Sequence, residues 1–243
     1  MDKNFDALAK MFEVRREQHP FEKMSDNVAG LLRTDILKMK MKPGFRINIS
    51  ELARKLSISR SPIVDALSIL QSEGLVKSSE QRKSFQVSQM DITNLRALCS
   101  IRGSIEGGAA FYAAQRITQE ELKQMHALVE DYSRTVFSDD FYEHADIDDN
   151  FHLLLVASSH NPYYKQSYAM IRNELLRYRY FLNLATNQKN MQTSLQHAQY
   201  SHWGMYNALR FRMSDVAKKE AENDAANMVN TYVRLLEVDE ISE

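Results

Sequence analysis

Between Asn48 and Val87 the chain carries two short helical patterns on either side of a three-residue polar turn. Asn48-Ile-Ser-Glu51-Leu52-Ala53-Arg54-Lys55-Leu56 opens the first helix, and Ser57-Ile58-Ser59 is the turn. Arg60-Ser61-Pro62-Ile63-Val64-Asp65-Ala66-Leu67-Ser68-Ile69-Leu70 forms the second helix, which Glu73-Gly74-Leu75-Val76 terminates. Pro62 is tolerated because it falls in the first turn. Asn48 with Glu51 three residues on has the form of a capping box, and Ser59 is placed to cap the second helix. Lys77 to Val87 reads as a two-stranded wing. A helix, a tight turn and a second helix with a polar start suit insertion into the major groove of duplex DNA.

The rest of the chain reads as helix. It has 243 residues with 7 glycines and 4 prolines, too few for a many-stranded fold with long loops. Leu, Ala, Met, Glu, Lys and Arg are abundant, and all favour helix. Residues 5–18 show helical spacing, stopped at His19-Pro20. Ser25 to Lys40 is the next helix, followed by a Met41-Lys-Pro43-Gly44 turn. Beyond Val87, helices are expected from Asp91 or Thr93 to Arg116, from the Thr118–Glu121 capping box to Val136, and from Asp139 or Asp140 to Ser159. Three more follow: Tyr163 to Leu184, Gln188 to Arg212, and one capped by Ser214 and reaching Leu236. The expected fold is mainly α: an N-terminal winged helix-turn-helix plus a C-terminal antiparallel helical bundle of about six helices. The domain reading is a helical extension over 1–24, a DNA-binding domain over 25–90 and a helical domain over 91–237.

Charge is segregated along this order. Residues 25–90 hold eleven Lys/Arg against six Asp/Glu, a net +5, while the whole chain has a net charge of −1. A basic front and an acidic back direct phosphate attraction to one end. The single cysteine, Cys99, excludes an intrachain disulfide and reads as a small core residue. The N-terminus lacks an apolar signal core, and runs such as Leu153–Ala157 are too short to cross a bilayer. A cytoplasmic protein with no membrane partner is expected.

These strings resemble the GntR transcription regulators, in the subfamily named after FadR, whose winged helix precedes a helical effector domain called FCD. The resemblance covers about residues 25–237. Pro43-Gly44-Phe45-Arg46-Ile47 is similar to the family's P-G-x-R-L, and Glu51-Leu-Ala53 through Arg60-Ser-Pro62 to E-L-A-x-x-L-x-V-S-R-x-P. Glu73-Gly-Leu-Val76 matches E-G-L-V, and Lys83-Ser84-Phe85-Gln86-Val87 stands where R-G-F-x-V usually lies. Two positions depart. Val64 replaces the second arginine of the recognition helix, and Ser84 replaces the wing glycine. Valine cannot make an arginine's bidentate contact to guanine, so a shifted operator preference is expected. The resemblance implies that Ser59, Arg60 and Ser61 meet bases and phosphates, with Ser50, Arg54, Lys55, Arg82 and Lys83 as backbone contacts.

In the helical half, Asp148 and His152 lie four residues apart on one helix face in Asp148-Asp-Asn-Phe151-His152. A carboxylate beside an imidazole can ligate one divalent ion, although such pairs are also common surface features. The arrangement resembles the FCD metal site, with His202 as the histidine of a later helix. The family's usual spacing then lands on Asp224 rather than a final histidine. The resemblance implies an Asp148/His152/His202/Asp224 set, harder than three histidines, for a divalent ion such as zinc, nickel or manganese. Arg102 resembles the family arginine that faces the ligand cavity, where it would clamp a small carboxylate effector; a salt bridge to Glu106 at i+4 is the plainer reading. His144, His160 and His197 read as surface or core histidines. Tyr163, Tyr164, Tyr168, Arg172, Arg177, Tyr178 and Tyr180 of the long helix could line the cavity, although an aromatic stripe is more often a core or dimer contact.

The expected function is a ligand-responsive regulator, by family habit a repressor, acting as a homodimer on a two-fold-related operator in double-stranded DNA. A metal-dependent helical enzyme is the competing reading. It lacks H-E-x-x-H, the paired E-x-x-H of di-iron bundles and a Gly-rich phosphate loop, so no enzyme is expected. A third reading keeps the DNA-binding head but gives the bundle a metal-free or acyl-binding cavity.

Overall fold

The computed structural model describes residues 2–78, 84–136, 138, 140–188 and 193–241. The chain divides into two compact units, Met1–Gln89 and Met90–Glu243.

In the first unit, α1 (Asp2–Gln18) and α2 (Met24–Leu37) precede β1 (Arg46–Ile47), α3 (Ile49–Lys55), α4 (Arg60–Ser72), β2 (Val76–Ser78) and β3 (Phe85–Val87). Helix α1 is part of this unit: Leu8 and Phe12 are fully buried, and the helix packs on α2 and α3. Asn48 caps α3, its side-chain oxygen accepting from Glu51 N–H at 3.1 Å. Ser59 occupies the cap position of α4 in extended backbone, yet its side chain makes no cap hydrogen bond, contrary to the expectation from sequence. At the other end of α4, Gly74 adopts φ +75°, and Leu75 N–H returns to Leu70 O at 3.0 Å. Only glycine takes this left-handed helix ending at no steric cost. Arg33 of α2 forks onto Glu73 at 2.7 and 2.5 Å, tying α2 to the end of α4.

The wing is a three-stranded antiparallel sheet in the order β1-β3-β2, not a two-stranded ribbon. Two residues are too few for β1 to show a period. A turn at Gly44, φ +79°, brings the strand in, with Gly44 N–H on Val87 O and Val87 N–H on Phe45 O.

The second unit contains α5 (Ile92–Arg116), α6 (Gln119–Thr135), α7 (Phe141–Ala157), α8 (Pro162–Gln188), α9 (Thr193–Arg210) and α10 (Ser214–Ile241), with no strand among its described residues. Asp91, Thr118 and Asp140 cap α5, α6 and α7, and Thr118 with Glu121 completes a capping box. Asp139, the other candidate for the third cap, lies outside the described residues. Gln188 ends α8 instead of opening α9, and Ser214 is the first residue of α10 rather than its cap. Alanines 109, 110, 113, 114, 217, 221 and 225 are all buried, and α5 packs extensively against α10. The start of α5 is pinned by α8: Tyr178 OH donates to Asp91 O at 3.0 Å and accepts from Asp91 N–H at 3.2 Å. Cys99 is buried, and burial pushes its thiol up to about 11, so it is an inert core group. Among the described residues no helix is long and apolar enough to cross a membrane.

Candidate functional site

On the first unit, α4 buries Ile63, Ala66, Leu67 and Leu70, so the opposite face presents Arg60, Ser61, Asp65 and Ser68 to solvent. Val64 is partly buried beside them. Ser50, Arg54 and Ser59 are exposed and Lys55 is partly buried; Arg82 and Lys83 lie outside the described residues. Asp65 was not singled out from sequence, although it shares the exposed face of α4 with Arg60, and an exposed carboxylate can accept from a cytosine amine.

The second unit encloses a polar centre to which all six helices contribute. Arg102 and Glu106 come from α5, Tyr132 from α6, Asp148, Asp149 and His152 from α7, Arg179 from α8, His202 from α9 and Asp224 from α10. All are buried except Asp148, whose side chain is 13% exposed. His152 Nε2 lies 3.2 Å from His202 Nε2, 3.7 Å from Asp148 Oδ1 and 3.5 Å from Asp224 Oδ2. His202 Nε2 is 3.3 Å from Asp148 Oδ1 and 3.9 Å from Asp224 Oδ1. Asp148, His152 and His202 thus stand within coordinating reach of one another, while Asp224 forms a second such trio with His152 and Glu106.

Arg102 does not simply face a cavity. Its Nη2 donates to Asp224 Oδ2 at 2.6 Å and sits 2.8 Å from His152 Nε2, while its Nε donates to Glu106 Oε1 at 3.0 Å. Both the cavity arginine and the i+4 salt bridge are thus present. Nδ1 of His152 lies 3.1 Å from Glu106 Oε2, although that oxygen makes no well-aligned hydrogen bond. Burial opposes a charge on His152, but the Glu106 carboxylate beside it wins and draws the ring toward protonation. Arg102 Nη2 lies 2.8 Å from Nε2 and 3.3 Å from Nδ1, over the ring face and off its in-plane lone pairs. Burial works against charge on Asp148 and Glu106, yet Arg179 beside the first and Arg102 beside the second hold both carboxyls well below the usual range.

Several of these groups escaped sequence reasoning. Arg179 pairs with Asp148 and, at 3.0 Å, with Asp149 Oδ1; Arg172, seven residues earlier on the same helix, reaches Asp149 Oδ2 at 2.6 Å. The heptad spacing of Arg172 and Arg179 was the available signal. Phe151 stacks on the His202 ring at 4.2 Å and Tyr132 meets it edge-on at 4.4 Å, so these two aromatics set the plane of that imidazole. A cavity of about 60 Å³ adjoins the centre, its walls including Arg102, Tyr132, Asp148, Arg179, Asn183 and Asp224.

His144 is buried and packs on Tyr132 and Thr135 outside the cluster, His160 pairs with Glu121 at 3.1 Å, and His197 is exposed. Burial pushes His144 down to about 4, partly opposed by Asp148, and pushes His202 down to about 4. Between pH 6.5 and 4 the unfolded chain therefore takes up protons that the fold refuses, so stability is complete above pH 6.5 and is lost as pH falls. Each such histidine is expected to cost about 1.4 kcal/mol per pH unit within that window. Thermal melts at pH 7.5, 6.0 and 5.0 test this, and His144→Gln should flatten the slope.

The winged helix and the six-helix unit define a class. The chain belongs to the gntR family of bacterial regulatory proteins, whose model matches residues 24–87, and it carries an FCD domain over residues 97–224. It is a transcriptional regulator that binds DNA, and not an enzyme. Its relatives include the HTH-type transcriptional regulator YdhC of Bacillus subtilis, 26% identical over 189 residues, covering 77% of this chain and 81% of that protein. The HTH-type transcriptional repressor RspR of Escherichia coli is 29% identical over 145 residues, 58% of this chain and 62% of that one. Among solved structures, E. coli McbR/YncC shares the fold with a TM-score of 0.70 at 19% identity, covering 89% of this chain and 99% of that one. A putative GntR regulator from Rhodococcus sp. RHA1 shares it with a TM-score of 0.67 at 17% identity, over 85% and 97% of the two chains.

Proposed function

We propose that this regulator is a cytoplasmic repressor, acting as a homodimer on a two-fold-related operator and released by a small carboxylate held in the helical unit together with a divalent ion. The observation that carries the reading is the convergence of Asp148, His152, His202 and Asp224 in a centre with surplus negative charge. Four carboxylates, Glu106, Asp148, Asp149 and Asp224, face two buried guanidiniums, with Arg172 as a third, partly exposed partner. That leaves one negative charge, or two where water screens Arg172, for a divalent cation to offset. The donor set fits one: ligand atoms about 2.0–2.2 Å from a common ion stand about 3.0–3.6 Å apart, close to the separations above.

Asp148, His152, His202 and Asp224 would hold the ion, which supplies an electrophilic anchor for a carboxylate. Tyr132 and Phe151 orient His202, and Arg179 keeps Asp148 ionised and aimed. The roughly 60 Å³ cavity has room for a few waters or a small anion and not for a long acyl chain. On the DNA side, Arg60 and Ser61 would enter the major groove, with Ser50, Arg54, Lys55, Arg82 and Lys83 on phosphates. The repressor sign follows the printed role of RspR.

Elemental analysis and Mn²⁺, Ni²⁺ and Zn²⁺ titration of the purified protein test the ion. Roughly one ion per chain is expected, with His202→Ala weakening binding by about 100-fold or more. Retention of full affinity by that variant would refute the assignment. Operator binding in the presence of a panel of small carboxylates tests the effector class.

A further inference from the structure

We infer that Val64 is a specificity-determining residue of the DNA head, selecting thymine by packing its two methyl groups on the C5-methyl of that base in the major groove. This rests on α4 being the helix that enters the groove, and it adds which base the middle of that helix accepts.

The solvent face of α4 changes chemistry along its length. At its start stand Arg60 and Ser61, both exposed, and neither side chain has a hydrogen bond or ion pair among the described residues. One turn further on, four residues from each, stand Val64 and Asp65. The Asp65 carboxylate is exposed and likewise unpaired among the described residues. Ser68 completes the face, but its Oγ donates to Val64 O at 3.0 Å, so its proton is spent on the helix itself. Val64 is therefore the one apolar side chain among the five residues of this face, half-buried and open on its outer side.

A carboxylate in the middle of the face cannot rest against a phosphate, because like charges repel. It suits the base edges, where cytosine and adenine present amines. The middle of α4 thus addresses the groove floor, and Val64 with it. For an aliphatic side chain that floor holds one complementary group, the methyl of thymine. Guanine, adenine and cytosine meet it with polar nitrogens and oxygens, which a valine would strip of water without pairing. Valine in a helix keeps essentially one χ1 rotamer, so its methyls are set before DNA arrives and little freedom is lost on contact. Four residues of α4 span about 6 Å, against about 3.4 Å per base-pair step. The thymine should therefore lie within about two base pairs of the base that Arg60 reads.

The test uses the full chain. Binding sites are selected from a random duplex pool, and each thymine of the selected site is replaced in turn by deoxyuridine, which lacks only the C5-methyl. At the thymine that Val64 touches, the replacement should weaken binding by about fourfold, the worth of one buried methyl. In Val64→Ala the same replacement should cost less than about twofold. In Val64→Arg, selection should exchange that thymine for guanine. Alanine is the better helix former and the position is not in the core, so the alanine variant keeps the fold. A selected site in which no thymine is sensitive to deoxyuridine overturns the inference. So does a sensitivity that survives in Val64→Ala, or a thymine retained by Val64→Arg. If Arg60→Ala changes the selected sequence and Val64→Ala does not, α4 stands as the reading helix and this inference alone falls. If neither variant changes it, α4 is not the reading helix and both fall.

Discussion

Arg179→Met is expected to destabilise the helical unit by about 3–5 kcal/mol, the cost of leaving a buried charge without its partner. Arg179 is 4% exposed and holds both Asp148 and Asp149. Methionine fills much of the volume, so the loss would come from charge and not from a cavity. Asp149 keeps Arg172 at 2.6 Å, but among the described residues Asp148 keeps the two histidines and no other ion-pair partner. At about 2–4 °C per kcal/mol for a domain of this size, the melting temperature should fall by roughly 6–20 °C. Arg179→Met combined with Asp148→Asn should recover part of the loss, because the second change removes the stranded charge. Circular dichroism melts at neutral pH decide it. A drop under about 1 kcal/mol would mean that water solvates these carboxylates and that the centre is not the closed electrostatic unit described above.

The second large effect is expected on DNA. Arg60→Ala should weaken operator binding by about 1–3 kcal/mol, roughly tenfold to more than a hundredfold, and relax the base preference at one position of each half-site. Arg60 is the first residue of α4, exposed, on the face shared by Ser61, Asp65 and Ser68. Arg54→Ala, on α3, should instead weaken binding to all sequences alike and reduce the salt dependence. Selection of binding sites from a random duplex pool, followed by titration at two salt concentrations, separates the two. An Arg60→Ala protein with unchanged affinity and preference would remove α4 from the role of reading helix.

How far the sequence was legible depended on whether a signal was local. Asn48, Asp91, Thr118 and Asp140 revealed their helix starts because a cap needs only its own next turn. Asp148 and His152 revealed themselves by the helical repeat, and His202 and Asp224 only through the family resemblance, since nothing local ties α9 or α10 to α7. Arg179 and Glu106 were not legible as parts of the site for the same reason. Their meaning lies in partners on other helices, 30 and 46 residues away. Ser59 had the right residue type for a cap and was nonetheless not used as one, its side chain making no cap hydrogen bond to the start of α4. His144 and His202 show the limit most plainly. Both are buried histidines pushed down to about 4, and only the company of carboxylates separates the candidate ligand from the core residue.

The contact between Tyr178 and Asp91 acquires a wider meaning in this light. Asp91 is the second residue after the head ends at Gln89, and the tyrosine that clasps its peptide from both sides stands next to Arg179. Tyr178 and Arg179 are consecutive residues of α8, so one helix both fastens the start of α5 and carries the counter-ion of Asp148. A displacement of α8 that loosened one grip would disturb the other with it.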